Sequence, residues 1–528
     1  MQRRQFIYAA GSSLVALQSH RLLYPAHAST DQSFQCRAYL PNGEPLPEAS
    51  LAKLYFLSLQ DEPLPNPERT VENGLLVSQS PLQWPVVIAL QLPVAGFGDV
   101  TVYADNKGQG FMPGDFPLVL NRAFACDRIA RVTQTLSHWQ AQGYHFSATI
   151  HQTLETAQDL FQTAEHHDTL SGQIRGWNDA LSQALWAGEN LALSRARQRI
   201  ARGEPRLDFK FGCNAFAHPS AGPKYDRYFT DLFNYATVPF YWRSFEPEQG
   251  NPRFDRVDQQ VAWLENAGIT PKGHPLVWFH EIGVPNWIRE QPYNQVKESL
   301  RQRILEIIHH YGDRIPYYDV INEAHGVPWG NELNYDNEQF LDLTRMACDV
   351  VREGNPKAQR VVNSCCLWAR QVALLGPSVQ SPFQYVKACL KANIPFEVIG
   401  LQLYYTHQDM FEIDRMLDRF TTFGKPIHIT EMSTSSSTGM DENSQLGAAR
   451  GLWHAPWSET VQADWVEQIY TLAYSKPEVE AVTWWDLSDK NTFWPFGGLL
   501  NEANQPKRAY YRLQGLKKLW GLAELQAL

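Results

Sequence analysis

Two glutamates, each at the end of a short apolar segment, are the residues of this sequence best placed to do chemistry. Glu323 ends the segment 317–323, and Glu431 ends the segment 425–431. Each segment is short, rich in β-branched residues and entered through a proline, which is typical of a buried parallel strand. The pattern therefore predicts two carboxyl groups at the carboxyl ends of two parallel strands.

A pair of carboxyl groups suits the hydrolysis of a glycosidic bond. One protonated carboxylic acid donates to the leaving oxygen, while one ionised carboxylate acts on the other side of the anomeric carbon. Either glutamate alone is equally well explained as a loop residue or as part of a helix N-cap. The set is more specific, because Asn322 precedes Glu323 and a third apolar segment runs into Trp484, Trp485 and Asp486. We interpret the set as a glycosidase site.

Size and composition agree with a folded enzyme that acts on a neutral substrate. The chain has 528 residues, which is long enough for two to four domains, and it is 44% hydrophobic and 19% charged. Its formal net charge is -10 and it has no long basic run, so we expect no nucleic-acid partner. The 17 tryptophans and 22 tyrosines suit a cleft that stacks on sugar rings, although such residues also build cores.

The N-terminus resembles a twin-arginine export signal over residues 1–28. Arg3 and Arg4 precede a short apolar stretch, and an A-x-A cleavage site ends at Ala28. Polar residues such as Gln18 interrupt the stretch, which is therefore too short to span a bilayer. We expect a periplasmic or extracellular protein without stable membrane insertion, and a retained anchor is the alternative.

The sequence indicates no cofactor and no metal site. The seven cysteines form no C-x-x-C pair and no His/Cys ligand spacing, and their odd number leaves at least one thiol free. Two carboxyl groups are sufficient for glycoside hydrolysis. Neither a calcium ion in a loop nor the oligomeric state is decided by the sequence.

Three patterns follow one another along the chain. Residues 33–120 alternate short apolar runs with turns and predict a small β-sandwich-like accessory domain, either carbohydrate-binding or simply packed on its neighbour. Residues 121–205 have helical spacing and predict a linker or hairpin of two or three helices. Residues 206–528 repeat strand and helix and predict an α/β fold, the (β/α)8 TIM barrel, whose chemistry lies at the carboxyl ends of the strands. The eight predicted strands are 209–213, 235–241, 270–278, 317–321, 360–363, 398–403, 427–430 and 482–486, and the two glutamates follow the fourth and the seventh.

Residues 207–520 resemble glycoside hydrolase family 10, the retaining endo-β-1,4-xylanases. Four motifs carry the resemblance: the strand-three segment 272–278, the acid/base motif 319–324, the nucleophile motif 429–431, and the strand-eight end formed by 484–490 with 501–507. The resemblance implies that Glu431 attacks the anomeric carbon and that Glu323 is the acid/base. It also implies that the two carboxyl groups are about 5 to 5.5 Å apart.

The resemblance further assigns residues that bind the polysaccharide, xylan or a related β-glycan. Asn322 matches the residue that hydrogen-bonds the 2-hydroxyl of the sugar at the cleavage site. His274 and Trp278 match positions that line this subsite, and a structural role beside the strand is the alternative for His274. Trp485 matches a sugar-stacking tryptophan, and Gln402 matches a glutamine near the nucleophile.

Two segments depart from the family pattern. After strand two the family carries Glu-Asn-x-Met-Lys-Trp, which hydrogen-bonds the next glycone sugar, whereas this chain has 237–242, Thr-Val-Pro-Phe-Tyr-Trp. At strand six the family has a histidine that contacts the nucleophile, and Tyr404 stands here instead. A tyrosine can donate to Glu431 but carries no positive charge.

These departures leave two alternatives open. The same chemistry could act on another β-glycan or on a decorated xylan, with Phe240, Tyr241 and Tyr404 reshaping the glycone side. The chain could instead be a catalytically inactive carbohydrate-binding or scaffold protein with the same barrel fold. The presence of both glutamates and Asn322 argues against this alternative.

Overall fold

A computed structural model describes residues 33–522, apart from 65–67, 79–82, 113–114, 116, 374, 377 and 406. The predicted export signal, residues 1–28, lies outside the described residues. The described chain begins with two small sheets, continues through three helices and ends in a closed barrel.

Two small sheets form the first layer of the molecule. One has the strand order β3-β4-β1-β7 and the other the order β2-β5-β6. Phe34 of β1 and Phe56 of β2 pack edge to face with ring centroids 4.9 Å apart, so the two sheets share a core as a β-sandwich does. The elements are β1 (Phe34–Arg37), α1 (Glu48–Leu51), β2 (Tyr55–Leu57), β3 (Arg69–Glu72), β4 (Leu75–Ser78), β5 (Val87–Val94), β6 (Gly98–Ala104) and β7 (Leu118–Val119).

Three helices connect these sheets to the barrel: α2 (Leu120–Ala141), α3 (Ala148–Glu165) and α4 (Leu170–Arg202). The apolar spacing that predicted helices places Val132, Leu181 and Leu185 in the buried core. The hydroxyl of Thr169 accepts a hydrogen bond from the backbone N–H of Gly172 and caps the start of α4. Among the described residues, no helix combines the length and the apolarity needed to cross a membrane.

Eight parallel strands close the barrel, which confirms the predicted TIM-barrel fold. Each strand pairs with its sequence neighbour, and the last pairs with the first. The strands are buried on both faces, as the apolar runs predicted. They are β8 (Lys210–Asn214), β9 (Tyr235–Pro239), β10 (Thr270–His274), β11 (Tyr317–Asn322), β12 (Gln359–Ser364), β13 (Val398–Gln402), β14 (Ile427–Met432) and β15 (Val479–Trp484).

Helices follow the strands and cover the outside of the barrel. Their amphipathic faces bury apolar residues against the strands, as Phe340 and Leu343 of α9 illustrate. They are α5 (Pro223–Leu232), α6 (Trp242–Phe245), α7 (Asp255–Asn266), α8 (Tyr293–Tyr311), α9 (Asn337–Gly354), α10 (Ala369–Ala373), α11 (Pro382–Lys391), α12 (Met410–Thr421), α13 (Glu459–Tyr474) and α14 (Arg508–Leu519).

Each barrel strand ends one or more residues from its predicted end, and the differences of two residues or more are in β9, β10, β14 and β15. β15 runs from Val479 to Trp484 and not from 482 to 486. β10 ends at His274 and not at residue 278, because Pro275 has no N–H to continue the ladder. β9 ends at Pro239, two residues early. β14 runs on to Met432, so Glu431 lies inside the strand and does not follow it. The chain therefore leaves the sheet earliest where it forms the wall of the cleft.

The N-terminal elements and the barrel share one continuous hydrophobic core. Buried ion pairs reinforce the contact between α2 and α12. The guanidinium of Arg128 is 2.6 Å from Asp409 and 3.0 Å from Glu412, and all three side chains are almost fully buried. The N-terminal elements are thus joined to the barrel by packing and by charge.

Candidate active site

Glu323 and Glu431 line one cleft at the carboxyl ends of the barrel strands. The cleft has a volume of about 470 Å³, within the usual range for a ligand site. Each glutamate is only 6% exposed. Glu323 follows β11 in a left-handed backbone conformation with φ 55°, which is rare for a residue other than glycine. The structure therefore brings the two glutamates singled out from the sequence together in one cleft.

Three N–H donors hold the carboxyl group of Glu323. Its Oε2 accepts hydrogen bonds from the indole N–H of Trp278, at 3.1 Å, and of Trp329, at 3.0 Å. Its Oε1 accepts a hydrogen bond from Nε2 of Gln402 at 3.0 Å. Gln402 is paired with Glu431 in the strand register, as the resemblance implied, but its amide donates to Glu323.

Two neutral donors hold the carboxyl group of Glu431. The hydroxyl of Tyr404 donates to Oε2 at 2.9 Å, and Nδ2 of Asn363 donates to Oε1 at 3.2 Å. The tyrosine that replaces the family histidine thus keeps a hydrogen bond to this glutamate. The ring of Tyr404 stacks on Trp494 with centroids 5.5 Å apart, which restricts where the hydroxyl can point.

Asn322 lies between the two glutamates with its side-chain amide oriented. Its Oδ1 accepts from Nδ2 of Asn363 at 2.8 Å and from Nε2 of Gln402 at 3.1 Å. Thr430 in turn donates to Oδ1 of Asn363 at 2.5 Å. No acceptor among the described residues contacts Nδ2 of Asn322, which leaves this N–H group to donate to a ligand.

A buried, hydrogen-bonded triad formed by Lys272, His274 and Asp319 lies next to Glu431. Oδ2 of Asp319 accepts from Nζ of Lys272 and from Nδ1 of His274, both at 2.7 Å. Burial alone would raise the pKa of Asp319, but Lys272 and His274 outweigh it and lower that pKa. Burial lowers the pKa of His274, so its ring is neutral near pH 7. Its Nε2 faces Oε1 of Glu431 at 3.9 Å, so His274 both supports the strand and borders the cleft.

Burial also changes the acidity of the two glutamates. It raises the pKa of Glu323 above its usual range, against hydrogen bonds that favour the ionised form. It raises the pKa of Glu431 to about 8, and the charge of Glu323 adds to that rise. Because the two groups interact, they titrate as a pair. Both shifts favour the protonated forms, so the pair holds protons to higher pH than free glutamates do.

Aromatic rings form the walls of the cleft. Trp485 packs edge to face against His274 at 5.4 Å and against Phe216 at 5.5 Å. Tyr241 also lines the cleft, beside His274 and Trp278. Phe240, by contrast, is fully buried, so the expectation that it reshapes the glycone side is wrong.

Several residues of the site were not singled out from the sequence. Asn363 lies in β12 beside other polar residues, Gln359, Arg360 and Ser364, so its polarity did not distinguish it. Trp329 lies in a short 3-10 helix, Pro328–Gly330, between β11 and α9, where the sequence showed no pattern. Lys272 and Asp319 belong to the family motifs, but the sequence indicated no separate role for them. Among the described residues, no group of three His, Cys, Asp or Glu side chains is placed to hold a metal ion.

Comparison with known proteins identifies the family. The model of Glycosyl hydrolase family 10 matches residues 206–515. Endo-1,4-beta-xylanase 2 of Arabidopsis thaliana is 23% identical over 301 residues, which cover 56% of this chain and 25% of that protein. Endo-1,4-beta-xylanase of Geobacillus stearothermophilus is 25% identical over 296 residues, which cover 51% of this chain and 83% of that protein.

Solved structures give a weaker likeness. Xylanase 10B from Thermotoga petrophila RKU-1, in complex with xylobiose, is 22% identical with a TM-score of 0.48, and the match covers 61% of this chain and 97% of that one. The family model, in contrast, spans more than half of the chain and coincides with the barrel that carries both glutamates. The chain therefore belongs to glycosyl hydrolase family 10 and is a glycoside hydrolase.

Proposed function

We propose that this protein is a retaining endo-hydrolase of β-1,4-linked xylan that acts by double displacement. The observation that carries the proposal is the placement of Glu323 and Glu431 in one cleft, where both carboxyl groups are buried and hydrogen-bonded. Both glutamates accept several hydrogen bonds, so these bonds alone do not assign the roles. The family motifs supply the assignment, with Glu323 as acid/base and Glu431 as nucleophile.

In the first step, a carboxylate oxygen of Glu431 bonds to the anomeric carbon as the bond to the leaving oxygen breaks. Glu323 gives its proton to that oxygen, so the leaving sugar departs as an alcohol. Tyr404 and Asn363 keep the attacking carboxylate in place through their hydrogen bonds. The N–H group of Asn322 donates to the 2-hydroxyl, and this contact strengthens in the transition state.

In the second step, the ionised Glu323 takes a proton from a water molecule. The water oxygen bonds to the anomeric carbon and displaces Glu431, which regenerates both groups in their starting states. Two inversions at one carbon give net retention of configuration. This outcome requires carboxyl groups about 5 to 5.5 Å apart, and that separation stays a prediction.

Xylan is the favoured substrate because the matched relatives are named endo-1,4-beta-xylanases. The aromatic walls of the cleft suit the apolar faces of sugar rings. The altered strand-two segment, residues 237–242, is the observation that favours a different β-glycan as the second candidate.

Reducing-sugar release from xylan tests the proposal, with β-glucan and mannan in parallel. The parent enzyme should cleave xylan, and Glu431→Gln should lose about 10⁴-fold or more of that rate, because the nucleophile is absent. Glu353→Gln, an exposed glutamate of α9, is the matched control and should retain activity. Cleavage of another glycan but not of xylan would assign that glycan as the substrate. Binding without turnover on every glycan would contradict the proposed enzymatic activity.

A further inference from the structure

A third carboxyl group lines the cleft on the side away from Glu323. Oδ1 of Asp486 accepts from Nδ2 of Asn214 at 3.0 Å, and Oδ2 accepts from the backbone N–H of Phe493 at 2.7 Å. An ionised carboxylate offers about four acceptor sites. Two sites are therefore used inside the protein, and both Asp486 and Asn214 line the cleft.

The order of the barrel strands places this group on the glycone side. The leaving sugar must lie beside the acid, Glu323, which follows the fourth strand, β11. Asp486 follows the eighth strand, β15, and Asn214 ends the first, β8, and both strands lie across the barrel from β11. Trp485, next to Asp486, borders His274, so the sugar chain passes Trp485 as it runs toward this pair.

The strand-two segment, residues 237–242, lacks the polar side chains that hydrogen-bond the glycone sugar in the family, so another part of the cleft must supply such a contact. Phe240 and Trp242 are buried, and the indole N–H of Trp242 donates to Glu246 at 2.7 Å. Tyr241 is the one residue of 237–242 among those that line the cleft. A sugar on the glycone side presents hydroxyl donors that need acceptors, because an unpaired polar group costs affinity on burial.

We propose that Asp486, held by Asn214, binds the hydroxyl groups of the second glycone sugar and makes the enzyme select substrates with at least two neutral pyranose units there. The inference rests on the proposed function. Hydrogen bonds from hydroxyl groups to an ionised carboxylate are stronger than those to a neutral acceptor. The carboxylate thus replaces the polar contacts that the strand-two segment lacks.

A purely structural role is the alternative for Asp486, because its carboxylate accepts a hydrogen bond from the loop residue Phe493 and so fixes this loop to the strand ends. The test therefore compares glycosides that share one aryl leaving group and carry one or two xylose units. Asp486→Asn keeps the size of the side chain but replaces an acceptor by a donor. Asp441→Asn is the matched control, because Asp441 accepts from the backbone N–H of Phe496 at 2.6 Å and does not line the cleft.

Asp486→Asn should lower kcat/KM on the two-xylose glycoside by about 10-fold or more, the effect of one lost charge-assisted hydrogen bond. On the one-xylose glycoside it should change kcat/KM by less than about 2-fold. Asp441→Asn should leave the ratio of the two values unchanged. An equal loss on both glycosides, or no loss on either, would show a structural role and overturn the proposal.

Calorimetric measurement of xylobiose binding tests the role of Asp486 without requiring turnover. The parent protein should bind xylobiose about 10-fold or more tightly than Asp486→Asn does. Equal affinities overturn the inference even if the parent hydrolyses xylan. Failure of the parent to cleave any glycoside contradicts the proposed function, and the difference in xylobiose affinity still tests the role of Asp486.

Discussion

Amide side chains connect the two glutamates of the cleft. Asn363 contacts Glu431 and Asn322, while Gln402 contacts Asn322 and Glu323. Because every member is hydrogen-bonded and buried, a shift of one carboxyl group disturbs the other. This arrangement makes the acidity of the pair sensitive to single hydrogen bonds.

Tyr404→Phe should raise the pKa of Glu431 further, since the lost hydrogen bond favours the ionised carboxylate. The acid limb of the kcat/KM profile should therefore move to higher pH, and kcat should fall by about 10-fold or more. The measurement is the pH dependence of aryl xyloside hydrolysis. Tyr405→Phe is the control, because its hydroxyl donates to the carbonyl of Leu452 at 2.8 Å. An unchanged acid limb in Tyr404→Phe would contradict the role of Tyr404.

Glu323→Ala should separate substrates by their leaving groups. A leaving group that needs no proton should be released almost normally, whereas cleavage of polymeric xylan should fall by about 10²-fold or more. The alkaline limb of the pH profile should also disappear, because the acid whose deprotonation causes that limb is gone. Equal losses on activated and polymeric substrates would exclude Glu323 as the acid.

The residues of the site were predictable where they stand in a motif. Glu323, Asn322 and Glu431 end apolar segments that could be recognised as strands. Asn363 was not found, because its contacts join residues that lie 41 and 68 positions apart. Its type and its neighbours in the sequence give no sign of that role.

At the scale of elements, the barrel strands were predictable because both of their faces are buried. Such strands are continuous apolar runs, and turns separate them clearly from the amphipathic helices. The ends were less predictable, as β10 shows, because strand pairing stops where the chain turns into the cleft wall. The backbone N–H of Leu276 then donates to the carbonyl of Asp319 at 2.9 Å.

The contact of α2 with α12 should depend on Arg128. Arg128→Met leaves Asp409 and Glu412 buried with less positive charge, so unfolding should become easier by about 3 to 5 kcal/mol. Arg122→Met is the matched control on α2, because Arg122 is half exposed and pairs with Glu165 at the surface. That change should cost about 0 to 1 kcal/mol. Denaturant unfolding measures both, and equal effects would contradict the account.

At the scale of the molecule, the N-terminal elements contact the barrel through ion pairs and ring stacking between residues that are distant in the sequence. Nε2 of His454, from the barrel, is 2.9 Å from Oε2 of Glu189 on α4, and Trp186 stacks on the same histidine. Arg195 of α4 pairs with Asp414 and Asp418 of α12. The sequence showed the elements but not this docking, because pairs more than 200 residues apart leave no local pattern.

The pair formed by His454 and Glu189 should make stability depend on pH. Burial alone would lower the pKa of His454, but Glu189 outweighs it and raises that pKa. A raised pKa means that the pair stabilises the fold fully below the unfolded value, about 6.5, and that this contribution is lost as pH rises through the folded value. His454→Gln should therefore reduce the free energy of unfolding more at about pH 5.5 than at about pH 9. A difference that does not shrink with rising pH would exclude the ion pair.

The central claim is that Glu431 forms a covalent bond to the sugar, and mass spectrometry tests it most directly. A 2-fluoro aryl xylobioside slows the departure of the sugar from the enzyme, because fluorine destabilises the oxocarbenium-like transition state. The account predicts that the parent enzyme gains the mass of one fluorinated disaccharide on the peptide that contains Glu431. Label on another residue, or unlabelled enzyme that releases a product of inverted configuration, would contradict it.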